Sequence, residues 1–106
     1  MSEPYVLYPD LTALAPTVPD DSILSRTFYK DERLSAMLFS FAQGEELSEH
    51  TSTFPAIIQI VSGRARLKLG DDESVVEAGA WVRMSPNLPH SVYAETPVVM
   101  LLLLLK

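Results

Sequence analysis

The fold is decided by two stretches of sequence, GEELSEHTSTFPAIIQIVSG at residues 44–63 and GAWVRMSPNLPHSVYA at residues 79–94. Each stretch begins at a glycine and contains one histidine, and His50 and His90 are the two histidines of the chain. Gly63 and Gly79 stand where tight turns are expected, because glycine adopts positive φ without steric cost. The two stretches therefore predict short strands joined by tight turns, with one histidine in each half of the pattern.

In this spacing the chain resembles the cupin superfamily, and within it the small single-domain members with one conserved barrel. The two motifs of that family are G-x5-H-x-H-x3-E-x6-G and G-x5-P-x-G-x2-H-x3-N, and residues 44–63 and 79–94 align with them in register, without insertion. Asn87 stands at a glycine of the second motif, and asparagine tolerates a left-handed backbone. The resemblance implies an all-β fold: a single cupin-type antiparallel β-barrel, also described as a double-stranded β-helix or jelly roll.

The rest of the chain favours the same fold class, because short apolar segments alternate with turn residues. Strands are expected at 25–29, 35–42, 48–51, 57–61, 65–69, 74–77, 81–84, 91–94 and 98–105. Many short strands at close spacing are typical of an all-β sandwich or barrel. Residues 1–22 hold four of the eight prolines and are expected to form an extended N-terminal arm. We expect a single domain over residues 1–106, with the conserved barrel at 34–105.

The segment VVMLLLLL at 98–105 is apolar at every position, which predicts a strand covered on both faces. One face can line the barrel, whereas the other needs a second sheet or a partner subunit. Hydrophobic residues make up 47% of the chain, and a subunit interface is a favourable place for surplus apolar surface. We therefore expect a homodimer.

The composition limits which other classes of partner, and which cellular location, we expect for this chain. The net charge is −6, and the basic cluster Arg64, Arg66 and Lys68 alternates with apolar residues as on the wet face of a strand, so no nucleic-acid binding is expected. The apolar run at 98–105 is far shorter than the roughly 20 residues that span a bilayer, so no membrane association is expected. The chain has no cysteine, which excludes disulfides and thiolate ligands. Because the N-terminal residues show no secretory pattern, we expect a cytoplasmic location.

The resemblance also implies a metal site, part of which is present in this chain. In the family, two histidines and a glutamate of the first motif join the histidine of the second motif on a divalent metal ion. His50 and His90 occupy the first and last of these positions, whereas Ser52 and Ala56 replace the second histidine and the glutamate. The implied cofactor is one divalent first-row transition metal ion with His50 and His90 as its ligands.

A third ligand would have to come from Glu46, Glu49 or Gln59. Catalytic metal sites usually have three protein ligands and an open position. Successive side chains of a strand point to opposite faces, which directs Glu49 and Gln59 away from the ligand face unless a bulge intervenes.

Three interpretations of the two histidines remain open. They bind a divalent metal ion; or they are hydrogen-bonded core residues, as a histidine on an apolar strand usually is; or they line a metal-free pocket, as ligand-binding groups or as acid and base. The residues expected to line the ligand pocket are Ser52, Ala56, Phe39, Phe41 and Met84. Further candidates are Thr51, Thr53, Trp81 and Tyr93, with solvated hydroxyls and ordinary core or interface aromatics as the alternative interpretation.

These observations predict a small cupin barrel of undetermined specific activity, whose His50/His90 pocket binds a small molecule and, in one interpretation, a divalent metal ion. The alternative is a non-catalytic ligand-binding or sensor barrel, or a structural barrel that has lost the metal site. The residues leave open whether the protein is an enzyme.

Overall fold

The computed structural model describes residues 4–106, and nearly all of the regular structure in them is β-strand. The strands in chain order are β1 Ile23–Lys30, β2 Leu34–Phe41, β3 Glu46–His50, β4 Ala56–Ser62, β5 Arg64–Leu69, β6 Asp72–Glu77, β7 Trp81–Met84, β8 His90–Ala94 and β9 Val98–Leu105. Each predicted strand overlaps one of them. Gly70 has φ +61°, so the two residues Gly70 and Asp71 suffice to turn the chain from β5 into β6, and Asp72 already pairs with Leu69.

The strands form two antiparallel sheets that face each other, as in a jelly roll. The five-stranded sheet has the order β1-β2-β9-β4-β7, and the four-stranded sheet has the order β3-β8-β5-β6. All the pairings are antiparallel, and within residues 4–106 no strand of one sheet pairs with a strand of the other. The predicted all-β, antiparallel fold is confirmed, as two facing sheets.

The core lies between the sheets because alternate residues of each strand point inward. In β4 the buried residues are Ala56, Ile58 and Ile60, and in β5 they are Ala65 and Leu67. The other fully buried apolar residues of this core are Phe41, Met84, Val92, Ala94, Val98 and Met100. Strand β9 therefore gives one of its two apolar faces to the core, as its sequence predicts.

The N-terminal arm covers part of the outer face of the five-stranded sheet. A short 3₁₀ helix at Leu11–Leu14 is capped by the side chain of Asp10, and Arg26 of β1 donates to the carbonyl of Leu14 at 3.1 Å. Tyr8 packs edge-on against Phe28 with ring centroids 5.4 Å apart. Residues 1–3 of the predicted arm lie outside the described residues.

Two positive-φ turns hold the loops around the barrel. Gly63 has φ +89°, and a Cβ there would lie 2.1 Å from the carbonyl oxygen of Pro97. Asn87 has φ +66°, and its backbone N–H donates to the carbonyl of Ser52 at 2.7 Å. This bond joins the loop of the first motif to that of the second, so the two halves of the pattern meet at one end of the sandwich.

The described chain has a radius of gyration of 13.8 Å, close to the value of about 13 Å for a compact domain of 100 residues. Nowhere in residues 4–106 is there a helix of the length and apolar character needed to cross a bilayer.

Candidate functional site

The two histidines lie opposite each other on neighbouring strands of the four-stranded sheet. His50 is the last residue of β3 and His90 the first residue of β8, and their Cα atoms are register partners. The register between Leu47 and His50 is irregular, so the pairing of the two histidines requires a local departure from the regular ladder. Their ring centroids are 4.2 Å apart, with the planes tilted by 58°.

Both imidazoles are oriented in the same way by the main chain. Nδ1 of His50 lies 2.7 Å from the carbonyl oxygen of Ser48, and Nδ1 of His90 lies 2.8 Å from that of Leu88. Because a carbonyl oxygen can only accept, each Nδ1 carries a proton and donates. In the neutral form of each ring, Nε2 therefore has a free lone pair, available to a hydrogen-bond donor or a metal ion.

The two imidazoles differ in burial. His50 is exposed, whereas His90 is only 5% exposed. Burial lowers the pKa of His90 because the imidazolium loses hydration; the carbonyl of Leu88 opposes this shift, and the charge of a protonated His50 adds to it. His90 is thus held toward its neutral form, in which Nε2 is an acceptor.

A cavity of about 440 Å³ opens beside the histidines, within the range of small-molecule sites. Its lining residues are His50, Thr51, Ser52, Thr53, Phe54, Ala56, His90, Leu102 and Leu104. The lining therefore combines imidazoles and hydroxyls with aliphatic and aromatic carbon. The cavity therefore offers hydrogen-bonding side chains, such as the two histidines, together with the apolar surface of Leu102 and Leu104.

The structure brings four of the predicted site residues together and places the other three elsewhere. His50, His90, Ser52 and Ala56 all border the cavity. The other three, Phe39, Phe41 and Met84, are not among its lining residues.

Phe41 and Met84 are buried in the core, and Phe39 packs partly buried against it. The role of all seven predicted residues in ligand binding stays a prediction. Among the further candidates, Thr51 and Thr53 border the cavity.

Sequence reasoning missed Leu102 and Leu104 as cavity residues. Strand β9 is apolar at every position, so its sequence shows no alternation that could separate an inner face from an outer one. The register does so: Leu104 pairs with Ala56 and Leu102 with Ile58, both inward-facing residues of β4.

None of the three residues considered as a third metal ligand reaches the histidines. Glu49 points away and lies 3.9 Å from Lys68, Gln59 pairs with Trp81 on the outer face, and Glu46 borders an outer groove that also contains Arg66. Within the described part of the chain no three histidine, aspartate or glutamate side chains cluster closely enough to hold a metal ion. The donor set therefore supplies two imidazoles and does not fit a resident catalytic metal ion with three protein ligands.

A second polar cluster lies on the outside of the four-stranded sheet. Glu95 accepts from Arg64 at 3.0 Å and from Arg66 at 2.9 Å, and the Arg66 guanidinium lies 5.1 Å from the centre of the Tyr93 ring. The pKa of Glu95 is lowered, first by the hydrogen bond from Arg66. The interpretation of these arginines as a solvent face holds, and Glu95 is the partner that sequence alone did not reveal.

The two facing sheets and the histidine pair at their end define a cupin-type domain. The chain matches the sequence profile of the family described as "Cupin domain" over residues 37–104, well over half of its length. The chain belongs to the cupin family. No curated protein is similar enough to count as a match.

Among solved structures, a conserved protein of unknown function from Streptococcus pyogenes is 31% identical, with a TM-score of 0.82, covering 100% of this chain and 90% of that one. A cupin superfamily protein from Desulfitobacterium hafniense is 22% identical, with a TM-score of 0.84 and coverage of 99% and 94%. A salicylate 1,2-dioxygenase from Pseudoaminobacter salicylatoxidans is 14% identical, with a TM-score of 0.74 over 84% of this chain and 28% of that one, a likeness of fold alone.

Proposed function

We propose that this protein is a small-molecule-binding cupin whose ligand sits in the cavity beside His50 and His90. The observation that carries the proposal is the tethering of both Nδ1 atoms to backbone carbonyls at 2.7 and 2.8 Å. This tethering reserves both Nε2 atoms for something other than the protein's own main chain. Because both histidines line the cavity, a ligand there can take the place of water at these Nε2 atoms.

The cavity indicates the chemistry of the ligand. With neutral imidazoles, each Nε2 accepts a hydrogen bond, so a ligand with a hydroxyl, enol or N–H donor is favoured. Leu102 and Leu104 favour an apolar body beyond that group. A hydroxylated ligand with an apolar portion small enough for about 440 Å³ fits both requirements.

A divalent metal ion at the same place is the second candidate, favoured by the same tethering, because metal-binding histidines usually donate their other ring N–H to a carbonyl or carboxylate. His50 and His90 would be its two protein ligands, with the remaining positions taken by water or by a chelating ligand. The predicted cytoplasmic location stays a prediction.

Histidine side-chain NMR tests the proposal directly, because only two imidazoles contribute signals. We expect small hydroxylated aromatic or aliphatic compounds to shift the Nε2 resonances of both histidines in ¹⁵N-labelled protein. The matched variants are His90→Gln and Glu49→Gln. His90→Gln should abolish the shift of the His50 resonance on addition of the compounds. Glu49 lies on β3, beside His50, but its side chain points outward toward Lys68, so Glu49→Gln should retain the shifts.

If no compound in such a panel perturbs either imidazole of the folded protein, the binding proposal is wrong and the structural-barrel interpretation is favoured.

Elemental analysis of protein purified without a histidine tag tests the second candidate, the divalent metal ion. One equivalent of a first-row metal, lost in His90→Gln, supports it, and a metal-free protein that still binds the compounds rejects it.

A further inference from the structure

The two sheets leave a seam along one side of the molecule, between their edge strands β6 and β7. These strands end the four-stranded and the five-stranded sheet, and within residues 4–106 they do not pair with each other. Ser74 of β6 is the register partner of Leu67, which is buried in the core, so Ser74 also faces inward. Ser74 is nevertheless exposed. The interior of the sandwich is therefore open to solvent along this seam.

A cavity of about 230 Å³ lies behind the opening, and we call it the seam cavity. Its lining residues are Ile58, Ile60, Leu67, Leu69, Ser74, Val76, Ala80, Trp81 and Val82. Apart from the hydroxyl of Ser74 and the indole N–H of Trp81, the side chains in this lining are hydrocarbon. Small-molecule sites occupy about 300–1,000 Å³, so the seam cavity is small for a site of its own. Its size and lining favour an apolar group that belongs to a larger ligand.

The seam cavity is the neighbour of the histidine cavity, the one that His50 and His90 border. In the four-stranded sheet, His90 of the histidine cavity is the register partner of Leu69 of the seam cavity. In the five-stranded sheet, Leu102 of the histidine cavity is the register partner of Ile58 of the seam cavity. Register partners on one face lie about 5 Å apart. On both sheets, the two cavities are therefore one strand spacing apart.

Met84 lies where the two cavities meet. It is buried, and its register partner Ala56 borders the histidine cavity. Met84 shares the inner face of β7 with Val82, which borders the seam cavity, because alternate residues of a strand point to the same side. A methionine side chain is unbranched and flexible, so it adapts to irregular spaces. The boundary between the cavities thus includes a side chain that can change its rotamer without a shift of the main chain.

We propose that the ligand of this protein is an amphiphile with an unbranched alkyl chain, whose polar group lies at His50 and His90 and whose chain extends past Met84 into the seam cavity. The assignment rests on the proposed function, because the polar group determines where the chain begins. From β8 to β6 the interior spans two strand spacings, about 10 Å, which is the reach of an extended octyl chain. Because Ile58 and Leu69 bound the passage from opposite sheets, a slender chain fits there better than a ring system.

Burial of the chain provides the affinity. Each methylene group that moves from water into an apolar environment tightens binding about four-fold. The chain would also cover Leu69, Val76 and Val82, which are only half-buried while the seam is open. We therefore expect the Kd to fall on the order of a hundred-fold from butanol to octanol, as each added methylene group enters the seam cavity.

Methyl NMR tests where the chain lies, with butanol and octanol as the probes. Ile60 borders the seam cavity, whereas Ile57 lies on the outer face of the same strand and is the internal control. In protein labelled at the isoleucine δ1 methyl groups and the histidine nitrogens, both alcohols should shift the Nε2 resonances of His50 and His90. Octanol should also shift the methyl signal of Ile60 and leave that of Ile57 unchanged, whereas butanol should shift neither methyl signal.

Ser74→Phe and Val75→Phe are the matched variants for this test. Ser74 borders the seam cavity, so a phenyl group there should occupy it, and octanol should then bind no more tightly than butanol. Val75 is 56% exposed on the outer face of β6, so Val75→Phe should retain the dependence of the Kd on chain length. Circular dichroism establishes that each variant is folded. If Ser74→Phe does not fold, the response of Ile60 in the wild type decides the question alone.

The possible negative results distinguish this proposal from the proposed function. If the histidines respond to hydroxylated aromatic compounds but not to octanol, or if octanol leaves Ile60 unchanged, the alkyl chain is rejected and the proposed function stands. If octanol shifts Ile60 but neither histidine, or if folded Ser74→Phe keeps the full dependence on chain length, the joint use of the two cavities is overturned. If no hydroxylated compound shifts either histidine, the proposed function is wrong and this proposal fails with it.

Discussion

Gly63→Ala is expected to destabilise the protein far more than the same change at Gly79. Both glycines have positive φ, +89° and +97°, where an L side chain costs about 1–3 kcal/mol. A Cβ at Gly79 would meet nothing within 4 Å, whereas one at Gly63 would lie 2.1 Å from the carbonyl oxygen of Pro97 and 2.9 Å from Oγ1 of Thr96. A backbone oxygen cannot rotate away, so the loop before β9 must move, at a further cost of about 1–3 kcal/mol.

The expected loss in the free energy of unfolding is therefore about 4 kcal/mol for Gly63→Ala and about 2 kcal/mol for Gly79→Ala. The stabilisation from reduced unfolded-state entropy is common to both substitutions and cancels in the comparison. Urea unfolding followed by the fluorescence of Trp81, the single tryptophan, measures both values. If the two variants differ by less than about 0.5 kcal/mol, the close approach of Gly63 to Pro97 does not contribute to stability and the reasoning is refuted.

Three further predictions concern His90, Asn87 and Phe41. The pKa of His90 is lowered in the folded state, so just below the ordinary histidine pKa of about 6.5 the unfolded chain binds more protons than the folded one. The contribution of His90 to the free energy of unfolding should therefore be full above that pH and fall as the pH drops below it. Urea titrations at about pH 7.5 and 5.5 should show a smaller loss of unfolding free energy on acidification for His90→Gln than for the wild type. Asn87→Ala should cost about 1–2 kcal/mol and Asn87→Gly almost nothing, since φ is +66°; equal losses in thermal unfolding would contradict this account. Phe41→Ala should cost about 3–5 kcal/mol, because Phe41 is fully buried in the core, and calorimetry should show a larger fall in Tm for this variant than for Asn87→Ala.

Local patterns in the sequence were sufficient to predict the strands and the all-β class, and the resemblance to the cupin motifs supplied the specific fold. The alternation of Ala65 and Leu67 with charged neighbours identified both the strand and its inner face, since side-chain period and burial coincide there. The resemblance to the two cupin motifs implied that His50 and His90 would meet. This inference was possible because His50 ends one strand and His90 begins another, and the family fold places these two strand ends side by side.

The details of the site depend on contacts that no local pattern encodes. The tautomer of His50 follows from the position of the Ser48 carbonyl, and that of His90 from the Leu88 carbonyl. Both positions depend on an irregular stretch of β3 and on the loop before β8. The prediction that Phe41 lines the cavity used residue type, which does not distinguish a cavity wall from a filled core.

The place of β9 in the five-stranded sheet has a consequence for how the chain folds. Strands β2 and β4 do not pair with each other, because β9, far later in the sequence, lies between them and pairs with both. During synthesis each of the earlier strands has an unpaired, apolar edge until β9 emerges, and such edges are prone to pair with other chains. Closure of the sheet depends on contacts distant in sequence, so we expect slow folding and a period of vulnerability to aggregation that ends when this one strand is inserted.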